Sequence, residues 1–169
     1  MFLHLKPIGH IEEEILADLK EALGSIFSLT VEIDSPMEIP SGAYDPGRDQ
    51  YEASVILVEM MGSLPDGESK VLGIIDRDIY VPQLNFIFGL ASSRTAIISI
   101  TRLREEYYGL PANEELFKER FVKEAVHEIG HMFGLKHCAN RNCVMHFSNS
   151  LEDTDIKDRR FCNKCRSLL

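Results

Sequence analysis

Residues 125–145 read AVHEIGHMFGLKHCANRNCVM, a stretch that starts like an amphipathic helix yet carries three histidines and two cysteines. At 3.6 residues per turn, His127 and His131 lie one turn apart on the same face, so two imidazoles converge on one point. Continued as a helix, the chain would carry His137 roughly 15 Å beyond His127, too far for a metal that needs Zn–N bonds of about 2.0–2.1 Å. Gly134 supplies the break: glycine adopts the left-handed backbone that commonly ends helices, which lets the chain double back and return His137 as a third ligand. Glu128 is turned about 60° from His131 on the helical wheel, off the metal axis but within reach of a water there. Three neutral imidazoles around zinc leave a fourth position for water, and a carboxylate beside it suits a general base.

The cysteines ask for a second explanation. Cys138 follows His137 directly, Cys143 comes five residues later, and Cys162 with Cys165 forms a C-x-x-C. Four cysteines allow three disulfide pairings. The start of the chain, MFLHLKPIGHIEEE, has no sustained apolar run of a secretory signal, which predicts a reducing, cytoplasmic compartment. Reduced thiols grouped in this way read as the four ligands of a closed, tetrahedral structural zinc. Because neighbouring Cα atoms are only about 3.8 Å apart, a metal on Cys138 would anchor the segment that presents His137.

The pattern H-E-x-x-H-x-x-G-x-x-H with a following methionine, here His127, Glu128, His131, Gly134, His137 and Met145, resembles the metzincin clan of zinc metallopeptidases. With C-x4-C-x-M and the later C-x-x-C added, the chain is similar to the archaemetzincins, whose members carry a catalytic zinc and a structural one. The likeness extends upstream through VLGIIDRDIYVPQLNFIFGLA and AIISITRL. It implies an α/β fold of the α+β type: a mixed, twisted five-stranded sheet backed by helices, an active-site helix, a Met-turn at Met145 and a C-terminal helical segment. It implies two Zn2+ per chain, one on His127, His131 and His137 and one on Cys138, Cys143, Cys162 and Cys165. It also implies peptide-bond hydrolysis with Glu128 as general base, aminopeptidase-like on short peptides. By the same resemblance the fourth strand, Asn85 to Ala91, is an antiparallel edge that lines the cleft and takes an extended peptide by strand addition. Some metzincins place a tyrosine after the Met-turn for the oxyanion; here Tyr44, Tyr51, Tyr80, Tyr107 and Tyr108 all precede the motif. The rival reading is a non-catalytic zinc-binding adaptor on a peptidase-like fold, against which Glu128 argues, since a structural site needs no base.

The elements that must position these residues follow from periodicity. Phe2, Leu3 and Leu5 predict a first strand, and Ile11, Ile15, Leu19, Ala22 and Ile26 step as an amphipathic helix does. Leu29, Val31 and Ile33 alternate as a strand, and Tyr51, Val55, Val58 and Met61 mark a second helix closed by Gly62. Residues 71–75, 86–91 and 95–103 read as three more strands. The active-site helix starts near Pro111 or Asn113, carries Glu114 and Glu115 in its first turn, and buries Phe117, Phe121, Ala125 and Ile129. Asp153, Asp155, Lys157 and Asp158 read as a solvated polar helix or loop presenting the last two cysteines, and His146 as a loop histidine outside the catalytic set. At 169 residues the chain suits one catalytic domain, with an upper part (1–134) and a lower part (135–169). A net charge of −9 with no basic run argues against nucleic acid and anionic membranes, and no stretch approaches eighteen apolar residues. The expected partner is a peptide substrate, and the chain is expected to be a monomer.

Overall fold

In the computed structural model, which describes residues 2–64, 67 and 69–169, two almost wholly buried strands form the centre of a sheet. These are β5 (Lys70–Ile75) and β8 (Thr95–Ser99), paired in parallel; their near-continuous apolar sequences are what strands covered on both faces require. β1 (Phe2–Ile8) pairs in parallel with β5 on one side and with β2 (Thr30–Ile33) on the other. β7 (Gly89–Ala91) runs antiparallel to β8 and ends the sheet, giving the order β2-β1-β5-β8-β7. The expected mixed five-stranded sheet is therefore present.

Helices cover both faces. α1 (Glu13–Phe27) packs Ile15, Leu16, Leu19 and Leu23 with the long α3 (Glu114–Met132) against Leu5, Leu72 and Ile98. α2 (Ala53–Gly62) covers the opposite face, where Val71, Ile75 and Ile97 meet Ile56, Leu57 and Met60. Strand periodicity explains this division, because neighbouring residues of β5 and β8 point to opposite faces.

Three expectations need correction. Val58 and Met61 are exposed (67% and 48%), and the buried face of α2 is Ala53, Ile56, Leu57 and Met60. ASVILVEMMG is apolar nearly all round, so spacing alone offered two faces and the sheet selected one. Tyr51 lies not in α2 but in β4 (Gln50–Glu52), part of a small second sheet with β3 (Tyr44–Asp45) and β6 (Ile79–Tyr80). The expected strands 86–91 and 95–103 are shorter. The Ile87 N–H donates to the Ile79 carbonyl (3.0 Å), drawing the chain before Gly89 toward β6, and beyond Ser99 the backbone turns into a 3-10 segment at Thr101–Leu103. Two short helices, α4 (Leu151–Ile156) and α5 (Asn163–Arg166), close the chain. Among the described residues no helix is long and apolar enough to cross a membrane.

Phe121 is 2% exposed and stacks on Phe117 with ring centroids 5.9 Å apart, where α3 meets the sheet. Phe121→Ala is expected to lower unfolding free energy by about 3–5 kcal/mol, read from urea denaturation.

Candidate active site

α3 starts with its cap: the Asn113 side chain accepts the Leu116 N–H at 3.1 Å, and Glu114 and Glu115 occupy the first turn. It ends in a Schellman arrangement. Gly134, at φ +86°, donates its N–H to the His131 carbonyl (2.9 Å), and Leu135 donates to that of Gly130 (3.0 Å). The reversal returns the Leu135 carbonyl to the helix, where it lies 2.8 Å from His131 Nδ1. His127 Nδ1 lies 2.7 Å from the carbonyl of Val144, two residues after Asn142 and just ahead of Met145.

Those two hydrogen bonds define the site. A carbonyl only accepts, so each Nδ1 carries the proton and each Nε2 is left with a lone pair. The two Nε2 atoms face each other at 3.0 Å with no proton to share. A cation bound by both lone pairs would satisfy both. His137 joins them, its ring centroid 5.4 Å from that of His127 and 4.8 Å from that of His131, with one ring nitrogen of each residue within 4.8 Å of the others. Burial holds all three imidazoles below their ordinary pKa, His127 at about 3 with the Lys157 ammonium reinforcing the effect, so all are in the neutral form that ligates metal. The donor set fits zinc.

Glu128 is buried next to this cluster. Burial and the nearby Glu124 carboxylate push it up to about 8 in the metal-free protein; a divalent cation on the imidazoles opposes both influences and favours the carboxylate. The backbone of β7 runs directly over it. A Cβ at Gly89 would sit 2.6 Å from Glu128 Oε1, so the close approach of strand and carboxylate depends on that glycine. Together β7, α3 and the segment Phe147–Asn149 line a cleft of about 320 Å³, walled by Phe86, Phe88, Leu90 and Phe147. A larger open groove of about 780 Å³ lies beside Lys118, Asn142 and Arg159, and none of the ring nitrogens lines it.

Met145 is fully buried beneath the helix, its sulfur against Gly130. The four cysteine sulfurs also lie within 4.8 Å of one another, with Cys138 and Cys162 3.9 Å apart and no disulfide formed. Zn–S bonds of about 2.3 Å in a tetrahedron put sulfurs about 3.8 Å apart, so the four sulfurs are close enough together to share a metal. The Cys165 backbone N–H holds the Cys162 thiol at about 7, making a thiolate available near neutrality.

The sequence profile of peptidase family M54 matches residues 13–169. The archaemetzincin of Methanocaldococcus jannaschii is 47% identical over 167 residues, covering 98% of this chain and 90% of the relative. The crystal structure of archaemetzincin from Archaeoglobus fulgidus, complexed with malonate, superposes with a TM-score of 0.87 at 38% identity over the whole of both chains. A zinc-dependent peptidase from Methanocorpusculum labreanum superposes with a TM-score of 0.89 at 31% identity over 98% of each chain. The chain belongs to peptidase family M54, the archaemetzincins. As an archaemetzincin it is a zinc metallopeptidase, a hydrolase acting on peptides.

The archaemetzincin site also contains residues that motif and periodicity did not reveal. Lys157, expected on a solvated surface, is fully buried with Nζ 2.9 Å from Glu124 Oε1, an ionic contact off the line of a hydrogen bond. Thr154 donates to the same oxygen at 3.0 Å. Burial, the largest influence, would raise Glu124, but the Lys157 charge together with His127 and the contacts from Lys157 and Thr154 outweighs it and holds the carboxyl below its ordinary range. Asp155, likewise expected in solvent, takes a two-pronged bond from buried Arg120 at 2.6 and 2.7 Å. Ser148 Oγ is buried in the cleft wall with no hydrogen-bond partner among the described residues. The one available signal was the spacing of Arg120, Lys123, Glu124 and His127, a polar stripe on a helix whose other face is apolar. Lys157→Met strands the Glu124 charge and is expected to cost about 3–5 kcal/mol of stability; adding Glu124→Gln should recover most of it, as a denaturation double-mutant cycle would read.

Proposed function

We propose that the catalytic zinc is held by His127, His131 and His137, that Glu128 is the general base, and that Cys138, Cys143, Cys162 and Cys165 hold a second, structural zinc. The two bare Nε2 atoms 3.0 Å apart, beside a buried carboxylate, are the observation that carries this reading. When bound, the catalytic zinc lowers the pKa of a water molecule toward neutrality and polarises the scissile carbonyl. Glu128 accepts a proton from the attacking water on a carboxylate oxygen, then delivers it to the departing amine nitrogen. His127 and His131 keep their Nδ1 protons on the Val144 and Leu135 carbonyls and transfer none. The edge of β7 aligns an extended substrate by main-chain hydrogen bonds, with Gly89 allowing its backbone to run close to Glu128. Phe147, tilted against His137 with ring centroids 4.9 Å apart, offers no hydroxyl to an oxyanion.

The chain works as one catalytic domain in this reading. Residues 1–134 supply sheet, edge strand and active-site helix, and 135–169 supply the third histidine, the Met-turn at Met145 and the thiolate site. Four free thiols suit a reducing, cytoplasmic setting. A cleft of about 320 Å³ suits short peptides and aminopeptidase-like cleavage.

Glu128→Ala is expected to retain two zinc atoms per chain by metal analysis while peptide cleavage falls by about 10²–10⁴-fold or more. Zinc retained with unchanged cleavage would remove Glu128 from the mechanism, and no cleavage by either protein across a peptide library would favour an adaptor. Gly89→Ala, whose new methyl displaces Glu128, should lower kcat with zinc content unaltered. Acetylating the N-terminus of a cleaved peptide should abolish its turnover; undiminished cleavage would exclude the aminopeptidase reading.

A further inference from the structure

His146 follows Met145 and has no part in the mechanism above, yet it is tied to the segment that carries the third ligand. Its Nδ1 lies 2.9 Å from the carbonyl oxygen of Cys138. That carbonyl can only accept, so the imidazole donates from Nδ1, the same tautomer that His127 and His131 adopt. The other polar group of the Cys138 backbone is held as well: its N–H donates to the Met145 carbonyl at 2.9 Å. The His146 N–H in turn donates to the Cys143 carbonyl at 2.8 Å, closing the turn that carries Met145.

His137 needs such support. It is the exposed member of the trio, and among the described residues no hydrogen bond reaches its ring, whereas His127 and His131 are each aimed by a carbonyl. Among the described residues the aromatic rings against it are the other two imidazoles and Phe147. The direction of its side chain is therefore set by its backbone, and that backbone is fixed one residue later, at Cys138.

We propose that His146 is a positioning residue for the third zinc ligand. By donating Nδ1–H to the Cys138 carbonyl it clamps the residue that follows His137 to the Met-turn, so that His137 meets the metal with its direction already set. It touches neither substrate nor metal. This rests on the reading of His137 as a zinc ligand, and it adds one side-chain tie between the cysteine cluster and the imidazole cluster to the backbone tie from the Cys138 N–H to Met145.

Asparagine and glutamine separate the possibilities, because an Asn amide nitrogen falls near the place of Nδ1 and a Gln amide nitrogen near that of Nε2. Wild type, His146→Asn, His146→Gln and His146→Ala would be loaded with cobalt, whose thiolate charge-transfer bands report the cysteine site and whose weaker visible bands report the imidazole site. Metal loss to a chelator is then followed at each. His146→Ala and His146→Gln are expected to weaken metal binding at the imidazole site by about 10–100-fold, the usual effect of removing a ligand's orienting partner. The thiolate site should be unchanged, and His146→Asn should stay close to wild type. In zinc-loaded protein KM should be unaltered, with kcat following occupancy. Equal retention by His146→Ala, rescue by Gln and not Asn, or parallel weakening at the thiolate site would overturn the proposal. Wild type that binds no metal at the imidazoles would overturn the underlying catalytic reading, and this inference with it.

Discussion

The carbonyl oxygens of Val144 and Leu135 determine what the trio of histidines can do. Each takes the Nδ1 proton of one imidazole, so each ring presents a bare nitrogen to the same point in space. Neither carbonyl belongs to α3. Leu135 returns to the helix because Gly134 reverses the chain, and Val144 arrives because the segment ahead of Met145 crosses beneath it. Burial then keeps the rings neutral, since desolvation disfavours the imidazolium. Rotating either ring by half a turn would put C–H groups where Nε2 and Nδ1–H now lie and leave a buried carbonyl without a partner, which costs about 1–3 kcal/mol. The orientation of both rings is thus held by the protein alone.

How far the sequence disclosed this depends on the kind of constraint. The clustering of the three histidines and of the four cysteines was legible because ligand chemistry demands particular residue types at particular spacings. The central strands were legible from continuous runs of Ile, Val and Leu, and α3 from its apolar stripe and its Asn113 start. The buried face of α2 was not, because Val55, Val58 and Met61 satisfy helical spacing as well as Ile56 and Met60 do. Strands of two or three residues, such as Tyr44–Asp45 and Ile79–Tyr80, are too short to establish a period of two. Lys157 was the most misleading. In the run IKDRR it looks like a surface charge, and only the tertiary position of Glu124 shows that it is interior.

That buried lysine belongs to a wider pattern. Arg120, Lys123, Glu124 and His127 recur at three- and four-residue steps on α3, and every one of them bonds to the segment beyond residue 140. Arg120 holds Asp155, Lys123 reaches the Asp155 carbonyl, Glu124 takes Thr154 and Lys157, and His127 takes Val144. The helix therefore meets the sheet through an apolar stripe and the C-terminal segment through a polar one. Polar contacts are directional where apolar ones are not. A greasy interface would tolerate sliding or rotation of the lower segment along α3; a row of charge-assisted bonds at fixed heights does not.

The choice of polar ties and thiolates follows from how little the lower segment can bury. α4 and α5 are six and four residues long, well below the length at which a helix holds its own conformation in water. Beyond Gly134 the buried apolar side chains are few, chiefly Leu135, Val144, Met145 and Phe161. Such a piece cannot keep its shape by a core of its own, and small scaffolds in that position depend on cross-links. Here the sulfurs of Cys138, Cys143, Cys162 and Cys165 lie together, bringing both ends of the segment to one point where the proposed structural zinc would supply such a cross-link, and the polar stripe of α3 grips its middle. The third histidine sits between the helix terminus and the first of those sulfurs, with Gly134 three residues before it and Cys138 immediately after. Its geometry is bounded on both sides by structure that the active-site helix alone could not provide.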